Sequence, residues 1–396
     1  MAFVQAMNSA FESVKKGVNG ADVYTEAGVG DARVTLFTML NRGLDEKYIH
    51  DSITNYVHSI PPLDTICDLF VMAFQTRDIR GGKGERRLFH FMIKTLYSLY
   101  PEITLKMLHL IPEYGCWRDM WEIYRLISGL RQRILHIVKK TFMNDLVKAD
   151  SDEKSSMSLL AKWLPREKSA TYPGLARDIA NALYPNESSY RQRMIRYRKE
   201  TSYMNAMLKT VEINMCGGRW RKIKPEHVPG RCMKLHDRAF LNENKDGELR
   251  FPDTSDRMKC REHFQEYAAD LKDGKKKING ADVIMPHELV VKIDSGDMSE
   301  EQHTITQSQW DAIREKTQTL GGLGKAIAMC DFSGSMTGLP INISMAIGIL
   351  ISECTHSAFR DHILTFDAMP RWHSFKGMNT LRQKMNSLRN VGQGMN

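Results

Sequence analysis

Ala326-Ile-Ala-Met-Cys-Asp331-Phe-Ser333-Gly-Ser335-Met336 is an apolar run that ends in an acid, two hydroxyls at alternate positions and a glycine. A longer apolar segment, 339–354, follows it, and a second short apolar run, 363–366, comes next. That order predicts a buried parallel strand, a loop, a helix and a second parallel strand, which together make one βαβ unit. A short β stretch at 371–375 and a helix at 380–388 should follow. Ligands in open α/β sheets bind at the carboxyl ends of strands, so the loop is the first place to look for chemistry. Asp331, Ser333 and Ser335 are hard oxygen donors, and their alternate spacing offers all three from one loop to a divalent cation such as Mg²⁺.

Upstream of Gly324 the pattern is helical. Leu63, Ile66, Cys67, Phe70, Val71 and Phe74 recur at helical spacing, as do Leu88, Phe89, Met92, Ile93 and Leu96. The glycine-rich turn 75–87 joins the two runs into an antiparallel hairpin. Further helices are expected at 34–44, 45–60, 104–111, 117–127, 130–147 and 156–164. After a break at 165–185 comes a long helix whose apolar stripe is Tyr190, Met194, Tyr197, Thr201, Met204 and Leu208. Residues 217–280 are polar, with one helix at 256–271, and packed helix resumes at 286–291. Successive amphipathic hairpins point to a helical-repeat body, mainly α and possible as a ring, although no strict sequence period is present. The organisation expected is a lead-in at 1–20, a helical body at 21–295, a linker at 296–324 holding one helix (307–317), and a partial α/β domain at 325–396.

The chain of 396 residues carries 56 Lys and Arg against 47 Asp and Glu, a formal charge of +9. Most of that excess sits between Glu187 and Arg238, where thirteen basic residues face five acidic ones. Arg191, Arg193, Arg196, Arg198, Lys199, Arg219, Arg221 and Lys222 lie there beside Tyr190, Tyr197, Tyr203 and Trp220. Arginines interleaved with aromatics are the residues that neutralise and stack on single-stranded nucleic acid. A second basic cluster, Arg77, Arg80, Lys83, Arg86 and Arg87, lies on the hairpin turn and is a candidate backbone contact. Gly81-Gly-Lys-Gly84 in that turn is not a nucleotide phosphate loop, because helices flank it on both sides and no Ser or Thr follows the lysine. Cys232, His236, Cys260 and His263 lack zinc-site spacing. No H-E-x-x-H or G-x-S-x-G occurs, so no enzyme is expected. Seven scattered cysteines suit reduced thiols in the cytoplasm, and no apolar stretch is long enough for a membrane span. A nucleic acid is therefore one expected partner, and the resemblance described below makes it RNA. The alternative is a protein partner whose carboxylate completes a metal site at Asp331, Ser333 and Ser335.

Gln75-Thr-Arg-Asp-Ile-Arg-Gly-Gly-Lys-Gly-Glu-Arg86, Pro112-Glu-Tyr-Gly-Cys-Trp-Arg-Asp119, Ala161-Lys-Trp-Leu-Pro165 and Tyr197-Arg-Lys199 occur in that order. Together with the Asp331 loop they resemble an uncharacterised TROVE-like family, which pairs a helical module with a C-terminal von Willebrand factor A domain. The resemblance implies a helical ring that binds non-coding RNA and takes single-stranded ends on its basic rim, as in the Ro autoantigen. It also implies that Asp331, Ser333 and Ser335 are the first ligand loop of a metal-ion-dependent adhesion site. A second loop would begin at Gly392, and about seventy residues after Gly324 would make half an A domain.

Overall fold

In the computed structural model of this chain the described residues are 14–16, 22–24, 32–59, 62–151, 154–296, 298–366 and 370–393. The expected lead-in lies outside them except for Val14–Lys16 (β1), which pairs antiparallel with Asp22–Tyr24 (β2). The chain divides into two compact units, 1–209 and 210–396. It is mostly helical, with a small three-stranded mixed sheet at the C-terminal end.

In the first unit α1 (Ala32–Met39) and α2 (Glu46–Ser59) precede the hairpin of α3 (Pro62–Arg77) and α4 (Arg87–Leu99). α5 (Pro101–Met107), α6 (Ile111–Tyr114), α7 (Trp117–Leu126) and α8 (Arg131–Ala149) follow. Phe70 and Phe74 of α3, Phe89, Met92 and Leu96 of α4, Trp121 of α7 and Phe142 of α8 are buried in one core. Their three- and four-residue steps put each set on one helix face, which is why the spacing was informative. The helix expected at 156–164 is smaller, a 3₁₀ turn at Lys154–Ser156 and the single turn α9 (Leu160–Trp163). Conversely, the break at 165–185 contains α10 (Leu175–Leu183), with Leu175, Ala176, Ile179, Ala180 and Leu183 all buried. α10 starts after Gly174, whose φ of 79° favours glycine. The long α11 (Tyr190–Leu208) is capped by Ser189 Oγ accepting from Gln192 N.

The second unit holds α12 (Val211–Cys216), α13 (Gly230–Phe240), α14 (Ser255–Lys272), α15 (Pro286–Asp294) and α16 (Glu300–Thr319). Phe240 of α13 stacks on Phe264 of α14, centroids 4.5 Å apart, in a core shared with Tyr267 and Leu271. The helix expected at 307–317 runs the full length of α16. It begins at Ser299, which forms a capping box with Gln302, and it buries Ile305, Trp310 and Ile313. Ile305 enters the Phe240 core, whereas Trp310 and Ile313 enter the C-terminal core.

That C-terminal core is built on β3 (Met329–Asp331), β4 (His362–Phe366) and β5 (Trp372–Ser374), in the order β3-β4-β5. β3 and β4 are parallel, and β5 is antiparallel to β4. α17 (Leu339–Cys354) is the crossover, as the sequence order predicted, and α18 (Leu381–Gln393) ends the described chain. A Cβ on Gly348 of α17 would lie 2.3 Å from Cys330 Sγ, so a glycine lets the helix approach β3. Buried Glu353 of α17 accepts from Trp310 Nε1 (2.8 Å) and from Lys384 Nζ (2.7 Å), tying α16, α17 and α18 together. Among the described residues no helix is long and apolar enough to cross a membrane.

Candidate nucleic-acid interface

The hairpin turn is closed by its own backbone. Lys83 N donates to Gln75 O (3.0 Å) and Glu85 N to Thr76 O (2.8 Å). The fold there needs Gly82, because a Cβ would fall 1.9 Å from Gln75 O. This tight turn directs its cations inward. Arg77 is 3% exposed, and its Nε donates to Asp119 Oδ2 at 2.9 Å. Arg86 Nε donates to Asp119 Oδ1 (3.2 Å), His90 Nε2 lies 2.9 Å from the same oxygen, and Cys116 N donates to Oδ2 (2.9 Å). Burial alone would raise the Asp119 carboxyl. The His90 hydrogen bond and the charges of Arg77 and Arg86 outweigh that and hold it well below the usual carboxylate range. Gly115 is required beside it, since a Cβ would come within 2.4 Å of Asp119 Oδ2.

Two further turn cations are also engaged. Lys83 Nζ donates to the carbonyls of Phe37 and Leu40, capping the end of α1, and Arg80 Nη1 donates to Glu113 O (3.0 Å). Arg87 is exposed, with its guanidinium 5.2 Å from the Phe91 ring. The buried Arg77 cannot reach a phosphate, and Lys83 is committed to backbone carbonyls. The turn expected to contact nucleic acid is therefore built first of all as a packing device. The same geometry joins the stretches that stood apart in sequence. Trp121 Nε1 donates to Trp163 O (2.8 Å), and Tyr197 OH donates to Pro165 O (2.7 Å).

Along α11 three of the four arginines are held by intramolecular partners, two of them by acids. Arg193 donates to Asn181 Oδ1 and to Glu187 O. Arg196 pairs with Glu187 and Glu200 and covers the Tyr184 ring, and Arg198 pairs with Glu167. Arg191 and Lys199 are exposed, with no partner among the described residues. Tyr197, one of the interleaved aromatics, is buried.

Arg219, Trp220, Arg221 and Lys222 belong to the second unit. Trp220–Lys222 form a 3₁₀ turn pinned from behind: Asp256 Oδ2 accepts from Trp220 N (2.6 Å), and Asp256 Oδ1 lies 3.5 Å from Arg221 Nε. The Trp220 ring is covered by the Arg257 guanidinium at 3.6 Å and meets Phe240 edge-on. The aromatic expected to stack on a base therefore already stacks on an arginine of its own unit. Arg219, Arg221, Lys222 and Lys224 are all exposed. Arg221, Lys222 and Lys224 line a cleft of about 470 Å³, whose other lining includes His263, Glu266, Asp270 and Lys276. Sequence reasoning missed Asp119, Asp256 and Arg257, the residues that decide which cations remain available. Their only signal was position: an acid in the first turn of a predicted helix after Cys116, and an Asp-Arg pair opening another.

The Asp331 loop leaves the carboxyl end of β3. Asp331 Oδ1 accepts from Ser333 N (2.8 Å), and the Ser333 and Ser335 hydroxyls are 2.9 Å apart and exposed. These three side chains are of the right chemistry for Mg²⁺ but supply only half of an octahedral shell. Among the described residues no group of three or more His, Cys, Asp and Glu side chains could hold a metal ion. Asp367 and residues 394–396 lie outside the described residues, and Gly392 is within α18.

Comparison with known proteins assigns the chain differently from its motifs. Residues 138–323 match a family model described as a domain of unknown function, DUF2828, and residues 325–396 match a second, DUF7788. An uncharacterized protein, L728, of Acanthamoeba polyphaga mimivirus is 30% identical over 340 residues. The match covers 81% of this chain and 57% of that relative, so the chain spans little more than half the relative's length. No solved structure matches. These findings overturn the resemblance to TROVE-like and von Willebrand factor A families, neither of which is detected. Short motifs and a strand–loop–helix order are shared by many unrelated α/β proteins, and here they pointed to the wrong families.

Proposed function

We propose that this chain binds single-stranded RNA, and that its contact surface is Arg219–Lys224 of the second unit. The supporting observation is that Arg219, Arg221, Lys222 and Lys224 are exposed within six residues, on a turn fixed from behind by Asp256 and the Trp220–Arg257 stack. A cationic turn that is already rigid loses little conformational entropy on binding. Three phosphate contacts to a single strand, from Arg219, Lys222 and Lys224, give a salt slope of about −2.1, so raising salt from ~50 to ~200 mM weakens binding about twenty-fold.

The test is fluorescence anisotropy of a labelled RNA oligonucleotide against the full chain at several salt concentrations. Reversing charge at Arg219, Arg221, Lys222 and Lys224 should abolish both affinity and salt slope. Reversing it at Arg191, Arg193, Arg196 and Arg198 should change both far less, because three of those four are held by intramolecular partners. Unchanged binding in the first variant, or no RNA binding by the wild type, rejects the proposal.

A second reading has its own observation. Met329, Leu364 and Trp372 are in cross-strand register, and Met329 and Trp372 are 55% and 62% exposed. An apolar row next to the Asp331 loop suits a protein partner whose carboxylate would join Asp331, Ser333 and Ser335 around a cation. Calorimetric titration with Mg²⁺ that shows no heat, or the same heat after Asp331→Asn, removes that reading.

A further inference from the structure

The second unit contains a cavity of 710 Å³ bounded by the segment after α14, one face of α16 and the first turns of α18. Its size is in the range of small-molecule sites, and its lining combines an apolar floor with convergent polar groups. Leu271, Ile278 and Ile293 contribute to the floor, and His303, Asp311 and Gln383 are among the polar groups. Gln307 orients the acid: its Nε2 donates to Asp311 Oδ1 (3.1 Å), and its Oε1 accepts from Leu381 N (2.8 Å). Arg314 pairs with the same Asp311 oxygen at 3.0 Å. Asp311 Oδ2 and the His303 ring have no partner among the described residues. Burial pushes the Asp311 carboxyl up and the His303 imidazole down, as expected of groups held in a partly dry recess.

The cavity and the basic cleft share one lining residue. Lys276 lines both, and it pairs with Asp270 at 3.0 Å. Lys272 stands exposed at the cavity side of the same segment. A polyanion lying on Arg221, Lys222 and Lys224 and crossing Lys276 would therefore reach a recess lined by an oriented carboxylate.

Resting on the RNA reading above, we propose that this cavity seats one unpaired nucleotide of the bound strand. The exocyclic amine of the base donates to Asp311, and the flanking phosphates lie at Lys272 and Lys276. A carboxylate accepts from adenine, cytosine or guanine amines and has nothing to accept from the carbonyl that uracil presents at that position, so the site discriminates by base.

The experiment measures binding of the full chain to A12 and U12 oligoribonucleotides. The wild type should prefer A12 roughly tenfold, the worth of one hydrogen bond to a charged acceptor. Asp311→Asn should erase that preference while leaving U12 affinity unchanged. Ser308→Trp, which fills the cavity from α16, should lower A12 affinity to the U12 level, and circular dichroism would verify that it folds. Equal affinity for A12 and U12 in the wild type, or wild-type preference in both variants, overturns the cavity assignment. If the charge-reversed turn loses RNA while the cavity variants behave as wild type, the interface stands and the nucleotide seat falls. If no RNA binds at all, both fall.

Discussion

Replacing Asp119 by alanine tests the reading of the hairpin turn as a packing device. The carboxylate is fully buried and accepts from Arg77, Arg86, His90 and the Cys116 amide. Its removal leaves the Arg77 guanidinium buried without a counter-charge, and Arg77 Nη1 already has no partner. Breaking a buried pair from one side costs about 3–5 kcal/mol. For a unit of this size, that corresponds to a fall of roughly 6–20 °C in Tm. Urea and thermal unfolding of the full chain would measure the loss, and hydrogen exchange at Met120 and Trp121 would locate it in α7. Changing Arg77→Met together with Asp119→Leu should be less damaging than Asp119→Ala, because no buried charge is then orphaned. The pH dependence has a definite sign. The folded Asp119 carboxyl is held below its unfolded value, so its contribution is complete above about pH 4–5 and is lost as pH falls toward the folded value. Asp119→Asn should therefore be less sensitive to pH between ~5 and ~3 than the wild type. A loss below ~1 kcal/mol for Asp119→Ala, the range of an exposed pair, would refute the reasoning.

Gly82→Ala should cost at least about 1–3 kcal/mol in urea unfolding, because its Cβ would meet the Gln75 carbonyl rather than a flexible side chain. Gly348→Ala should cost a similar ~1–3 kcal/mol by forcing α17 away from Cys330, and it should be partly rescued by Cys330→Ala. Thiol labelling of the native chain at pH 8 should modify the exposed Cys67 and Cys216 quickly. Cys260 and Cys330 should react only on unfolding, since burial pushes their thiols up to about 12 and 11.

Where apolar residues step by three and four over several turns, sequence and structure agree. α3, α4, α7, α8 and α11 are of this kind, and so is the strand–helix–strand order around α17. α10 carried an equally regular pattern in Leu175, Ile179 and Leu183, but Pro165, Pro173 and Pro185 around it suggested a break. In fact Pro173 lies just before the helix and Pro185 just after it, the positions where proline is tolerated. α13 begins at Gly230 after Pro229 and buries only Gly230, Met233, Asp237 and Phe240, too sparse a stripe to stand out in a basic segment. α16 was shortened because its first turns are acidic and polar. Its buried Gln302 is held by the Ser299 capping box, and buried Gln309 donates its Nε2 to Gly230 O, a partner 79 residues away that no local window contains.

The candidate site was less legible than the fold, for an electrostatic reason. A count of charges along the chain treats every cation as a free source of potential, whereas only an unpaired, solvent-facing one attracts a phosphate at useful range. The pairs that remove cations from that sum are long-range: Arg77 and Asp119 are 42 residues apart, and Arg198 and Glu167 are 31 apart. The Glu187–Arg238 excess therefore cannot be one footprint by composition alone, and it is also divided between two units at Lys209. Arg219–Lys224 differs because the acid that holds it, Asp256, has both oxygens aimed chiefly at the backbone of the turn, at Trp220 N and Arg221 N. That acid fixes the turn while engaging only the Arg221 side chain, at 3.5 Å, so Arg219, Lys222 and Lys224 keep their charge for a ligand.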